Sequence, residues 1–248
     1  MNTDALNFLK KYKENISKVP ISIRERGWES SSVNSCFRKI KFKWKPSQLS
    51  NAKLTRNELI IIINQKKIQK NINSIEMKLF ILEILAWGGI RFHKDKIVSS
   101  INIIEKICFK LFNGEISRLK AYEYFNEAQL TRKIIGLGPA YFTKLIFFFG
   151  DQTGLIMDQW TARSINLLSN KKIVLLSSNY VNPKNNVDNY KSFLYFFNII
   201  KNELKLKSLM ETEELVFSCS DLKTSVKKKL GKSHKICSSW RKFVKENT

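Results

Sequence analysis

Asp158 has the setting best suited to chemistry. It follows the apolar triplet Leu155-Ile156-Met157 and is followed by Gln159 and Trp160. A carboxylate in apolar surroundings stabilises a developing cation and can orient or deprotonate an attacking water. Taken alone, an Asp just before a helix is also an ordinary N-cap. Twenty-two residues upstream begins Gly136-Leu137-Gly138-Pro139. Two glycines around one apolar residue make a tight turn whose backbone can come close to another molecule. Pro139 suits the first position of a helix, and a helix N-terminus favours phosphate. Lys144, on that helix, reads equally as a phosphate ligand or a lysine snorkelling from an apolar helix. Arg163, one turn past Asp158, suits a phosphate or an internal ion pair.

Other catalytic chemistries are poorly supplied. His93 and His234 are the only histidines, so a His-based zinc site or a Ser-His-Asp triad is not expected. Cys36, Cys108, Cys219 and Cys237 form no CxxC pair and read as reduced thiols, with no metal and no disulfide framework. The segment before Gly136 reads as a helix and not as the buried strand of a dinucleotide-binding unit, which sets that alternative aside.

The order of features is glycine hairpin, apolar helix, short loop, apolar triplet, Asp, helix. This order resembles the helix-hairpin-helix DNA glycosylases, which include the 8-oxoguanine, adenine and alkylpurine glycosylases. GLGPAYFTK followed by IMDQWTARSI is most similar to small prokaryotic proteins of the 8-oxoguanine glycosylase fold, some of which excise hypermodified bases in antiphage defence. The match covers about 35 residues. The resemblance implies a mainly α fold of two helical subdomains with a cleft between them. Residues 75–169 would hold the helix-hairpin-helix core, with the hairpin at 134–139, and 1–74 with 170–248 would pack as the second subdomain. Gly136 and Gly138 would grip a DNA phosphate and Asp158 would be catalytic. The family's lysine nucleophile falls on Ala140, its usual His two residues after the Asp falls on Trp160, and the iron–sulfur cysteines of some relatives are absent. A monofunctional glycosylase without a cofactor is therefore expected, with Lys144 one turn beyond Ala140 as the substitute amine. Tyr141, Trp160, Trp87 and Phe92 are candidates for the pocket and the wedge that base extrusion requires. Each alone also reads as core packing, and Gly88-Gly89 reads equally as a helix stop or a close backbone approach.

The elements that would position these residues follow from apolar spacing. Helices are expected over 75–87, 97–112, 118–133, Pro139–Phe149, Asp158 to Leu168, 188–206 and 211–219. Gly88-Gly89, Asn113-Gly114 and Gly150 act as stops. Residues 170–187 read as irregular, with IVLL at 173–176 as a short strand. Four prolines and nine glycines in 248 residues agree with helices joined by short connections.

Charge indicates the partner. Lys+Arg number 44 against 21 Asp+Glu, giving a net charge of +23. Lysine outnumbers arginine 35 to 9, so part of this surplus reflects an AT-rich coding bias. Acidic residues did not rise with it, and a polyanion, first of all nucleic acid, is the implied partner. Residues 37–45 carry Arg38, Lys39, Lys41, Lys43 and Lys45 among Phe37, Phe42 and Trp44, and 223–245 carry nine basic residues and no acid. Each run reads as a solvated surface or as a phosphate-tracking patch. Arg38, Lys41 and Lys43 join Arg163 and Lys144 as candidate DNA ligands. No apolar run reaches the roughly 20 residues of a membrane span, so a cytoplasmic monomer acting on double-stranded DNA is expected. A non-catalytic hairpin protein binding DNA and a single-strand RNA-binding protein are the alternatives from other classes.

Overall fold

The computed structural model describes residues 1–19, 32–44, 49–178, 180–217 and 232–248, with side chains from 238 onward in the last segment. The described residues are mainly helical, in keeping with an all-α glycosylase fold, and no helix among them is long and apolar enough to cross a membrane. The chain divides into two compact units. One takes Met1–Trp28, Met157–Val181 and Asp188–Thr248, the other Glu29–Ile156 and Asn182–Val187. Segment 75–169 thus contributes to both.

The unit built on Glu29–Ile156 contains α2 (Val33–Phe37), α3 (Arg56–Gln69), α4 (Ser74–Trp87), α5 (Lys94–Ser99), α6 (Ile101–Phe112), α7 (Arg118–Leu130) and α8 (Pro139–Phe149), while α1 (Thr3–Ser17) belongs to the other unit. Helix α8 is apolar all round, and a helix of that kind must be enclosed. Helices α3, α4, α6 and α7 pack against it, and Phe142, Leu145, Ile146, Phe147, Phe148 and Phe149 are fully buried. Phe142 stacks on Phe125 at 5.5 Å and meets Tyr122 edge-on at 4.9 Å. The Tyr122 hydroxyl donates to Asn185 O at 3.0 Å and Asn126 Nδ2 to Pro183 O at 3.0 Å, which ties residues 182–187 to α7. These are the partners that buried polar groups require.

The other unit centres on α9 (Gln159–Ser169), against which α1, α11 (Leu209–Phe217) and α12 (Lys232–Glu246) pack. Trp240 is fully buried, and its indole N–H donates to Ser164 Oγ and Val216 O, each at 3.0 Å. The backbone N–H of Asn2 donates to Leu168 O at 2.7 Å, satisfying one of the carbonyls that the last turn of α9 leaves open. Helix α10 (Val187–Glu203) follows the β1 (Leu176–Ser177) and β2 (Tyr180–Val181) pair, which is antiparallel with Leu176 opposite Val181.

Four expected elements differ in extent. The helix expected over 188–206 ends at Glu203, and Lys205 takes a left-handed φ of 49°. Segment 97–112 is two helices, because the chain turns at Ser99-Ser100. Ser99 Oγ donates back to Lys96 O at 2.8 Å, and serine pairs are a known cause of helix breaks. The helix expected to reach residue 133 stops at Leu130, where the Thr131 hydroxyl donates to Glu127 O and Arg132 takes a left-handed φ of 58°. Of the stretch 173–176 only Leu176 pairs in a strand; Val174 is bonded at both its N–H and its C=O by the Asn166 side chain.

Candidate functional site

The hairpin between α7 and α8 is set by a close approach within the chain. Gly136 has φ 84°, and a Cβ placed there would collide with His93 Cβ. Only glycine meets both demands. Gly138 differs. It is the N-cap of α8 at φ −75° and ψ 177°, and a Cβ there would meet only Gln129 Nε2 at 3.7 Å. Internal packing does not require glycine at 138. Gly138 O accepts from the N–H groups of Tyr141 and Phe142, and no side chain caps this helix end. Its outward N–H groups and partial positive charge suit a phosphate oxygen.

Lys144 is 8% exposed, and its ammonium donates to Ala140 O at 2.6 Å while lying 5.4 Å from the Tyr141 ring centroid. Its stem runs over Gly88, where a Cβ would fall 2.7 Å from Lys144 Cδ. Gly88 has an ordinary helical φ of −67°, so this approach, more than the helix stop, explains the glycine. Burial pushes the Tyr141 phenol above its usual range, with the charge and backbone N–H of Arg91 opposing and Cys36 reinforcing the shift. Trp87 is half-buried, edge-on to Phe148 at 5.2 Å. Phe92, in the α4–α5 loop, is 75% exposed.

Asp158 caps α9. Its Oδ1 accepts from Trp160 N at 2.8 Å and Thr161 N at 2.9 Å, while the Thr161 hydroxyl accepts from Asp158 N at 3.0 Å. This reciprocal capping box fixes the carboxylate. Oδ2 carries no hydrogen bond among the described residues, and Asp158 is half-buried. The ordinary N-cap and an available carboxylate oxygen therefore coexist in one side chain. Trp160 lies with its ring 4.9 Å from the guanidinium of Arg241, which also stands 4.4 Å from the Phe217 ring and donates from Nε to Phe217 O at 2.7 Å. Arg163 bonds Ser178 O at 2.8 Å and Thr248 Oγ1 at 3.1 Å, tying down the β1–β2 turn and the chain end. It makes no ion pair among the described residues.

Arg38, Lys41 and Lys43 are exposed. Arg38 and Lys39 line a cleft of about 330 Å³ with Ser35, Cys36, Ile40 and Lys94. Lys45, Cys219, Cys237 and most of the basic run 223–245 lie outside the residues or side chains described. Three residues that sequence reasoning passed over matter here. Thr161 completes the cap and was visible as the polar residue three after Asp158. His93 and Arg241 act through contacts distant in sequence, which leave no local signal.

Asp158, Trp160 and Arg163 belong to the unit with α9; the hairpin, Tyr141, Lys144, Trp87, Phe92, Arg38, Lys41 and Lys43 belong to the other. Residues 28–217 match the sequence model of a family described as "Putative 8-oxoguanine DNA glycosylase OGG-like protein". No curated protein and no solved structure matches the chain.

Proposed function

This chain belongs to the OGG-like 8-oxoguanine DNA glycosylase family, and on that premise we propose that it hydrolyses the N-glycosidic bond of a modified base extruded from duplex DNA, leaving an abasic site. The observation that carries this is the Asp158 carboxylate, held through Oδ1 by the α9 cap with Oδ2 unengaged. Breaking the base–sugar bond builds positive charge on the deoxyribose. A fixed carboxylate stabilises that charge without reorganising and orients the water that completes hydrolysis. The hairpin holds a backbone phosphate through Gly138 and the start of α8.

The enzyme acts without an amine nucleophile. Supporting this, Ala140 occupies the lysine position, and the Lys144 ammonium is buried on Ala140 O. A nucleophilic lysine has to present a free amine to the sugar. The preferred substrate is hypermodified cytosine, such as the glucosylated hydroxymethyl base of phage DNA, attacked by a cytoplasmic monomer in defence. The likeness of GLGPAYFTK and IMDQWTARSI to small prokaryotic proteins, some of which act in antiphage defence, supports it. The family description favours a second reading, removal of an oxidised purine in repair.

Both readings are tested by incubating the chain with phage DNA containing glucosylated hydroxymethylcytosine and with 8-oxoguanine duplex. Abasic sites are counted and released bases weighed. Release of the cytosine derivative alone supports defence, and release of 8-oxoguanine alone supports repair. No release from either, with tight duplex binding, supports a non-catalytic DNA-binding protein. Borohydride should trap no covalent adduct; an efficient adduct would restore a lysine nucleophile.

A further inference from the structure

Arg241, on α12, is 6% exposed although a guanidinium keeps its charge at any physiological pH. Burying a charge is costly unless hydrogen bonds and other contacts replace its water. Its Nε donates to Phe217 O at 2.7 Å, and Phe217 is the last residue of α11, where a helix leaves carbonyls open and favours a cation. The guanidinium carbon lies 4.4 Å from the Phe217 ring centroid and 4.9 Å from that of Trp160. The preceding residue, Trp240, is fully buried and bonded to Val216 O and to Ser164 Oγ, one turn past Trp160 on α9. Arg241 is thus anchored through α11 and α12, and the ring it reaches on α9 is that of Trp160. All of these residues lie in one unit.

Packing alone does not call for arginine here. Buried ionic groups can often be replaced by apolar residues of similar volume without loss of stability. What a guanidinium adds is orientation, because its flat cation is attracted to the face of an indole. Trp160 is half-buried and stands two residues after Asp158, and its N–H donates to Asp158 Oδ1 at 2.8 Å. The other oxygen of that carboxylate, Oδ2, carries no hydrogen bond among the described residues. A side chain that fixes the indole therefore fixes the large ring whose backbone holds the carboxylate.

We propose that Arg241 is a positioning residue for the reaction: it holds the Trp160 ring in one orientation beside Asp158 and touches neither the DNA backbone nor the base. This rests on the catalytic reading of Asp158, but the orientation of the ring is measurable without catalysis. The probe is the full-length chain labelled with 5-fluorotryptophan and read by fluorine NMR, the Trp160 resonance being identified by its absence in Trp160→Phe. Arg241→Gln should shift and broaden that resonance, while those of Trp44 and Trp87, in the other unit, keep their positions. Duplex affinity should stay near wild type. Single-turnover base release, from whichever of the two test DNAs the wild type acts on, should fall about tenfold to a hundredfold, as a slight misplacement near the reacting atoms does. Arg241→Lys, which keeps the charge without the flat face, should recover part of both. In a Trp160→Ala background, Arg241→Gln should cause no further loss of release.

An unchanged Trp160 resonance in Arg241→Gln overturns the proposal, whatever happens to activity. A moved resonance with full base release overturns it too, and so does an equal loss of release in the Trp160→Ala background, because Arg241 would then act by another route. If Arg241→Gln does not fold, by circular dichroism, the apolar Arg241→Met takes its place under the same criteria. A wild type that releases no base from either DNA removes the glycosylase reading, and the fluorine spectrum still decides whether Arg241 orients the ring.

Discussion

On the proposed function Asp158 divides two tasks between two oxygens, the cap on Oδ1 and the chemistry on Oδ2, and substitution can separate them. Asn keeps a good N-cap but removes the charge, whereas Ala removes both. Asp158→Asn should leave melting close to wild type and duplex affinity near normal while lowering base release by about 10²- to 10³-fold. Asp158→Ala should lose the same activity and in addition about 1 kcal/mol of stability. Base release and thermal melts on the two variants check this, and full activity in Asp158→Asn would remove the carboxylate from the chemistry. The hairpin glycines separate in the same manner. Gly136→Ala meets a left-handed φ and the His93 side chain together, and should cost about 1–3 kcal/mol. Gly138→Ala has room and an ordinary φ. It should fold normally and weaken duplex binding, because the added methyl stands where the proposed function brings a phosphate.

The packing of α4 against α8 makes a second pair testable. Ala at Gly88 would press on the Lys144 stem, so its cost should shrink when Lys144 is also shortened to Ala. A double-mutant cycle should give a coupling of about 0.5–3 kcal/mol; additive effects would mean the contact carries no weight. The same helix carries Glu83, whose carboxyl burial pushes above the usual range against a hydrogen bond from Ser50. The folded state then binds the proton more tightly than the unfolded state. Stability is fully present below the unfolded carboxyl pKa of about 4.3 and falls as pH rises through the raised folded value. Glu83→Gln should flatten that decline and raise the melting temperature at neutral pH relative to wild type. Of these elements, α4, α8 and α9 were legible because apolar spacing, a proline start and glycine stops are local signals. The Ser100 break was not, since Ile97, Ile101 and Ile104 keep helical spacing across it. Asp158 was legible with both roles open. The contacts of Lys144 with Gly88 and of His93 with Gly136 join different elements, so local sequence could only raise a glycine as a question.

The net charge of +23 acts on the molecule as a whole. Several acids are already engaged: Asp151 pairs with Arg118 at 2.5 Å, Glu76 with Lys66 at 2.7 Å and Glu105 with Lys78 at 3.3 Å. Arg38, Lys39, Lys41 and Lys43 make no ion pair among the described residues. Free surface cations gain from replacing the counterions condensed on DNA, and each phosphate contact steepens the loss of affinity with salt. Base choice does not enter that term, so on the proposed function charge sets how firmly the duplex is held and the residues around the extruded base set what is removed. The paired change Arg38→Gln and Lys39→Gln should therefore weaken binding uniformly across sequences. The slope of log affinity against log salt should fall in magnitude by about 2, one for each lost phosphate contact. Both side chains are exposed, so melting should not change, and the ratio of release rates between two modified bases should stay constant. Affinity titrations at several salt concentrations measure the slope. An unaltered slope would place the 330 Å³ cleft away from the DNA, and an altered base preference would give these cations a role in reading the base.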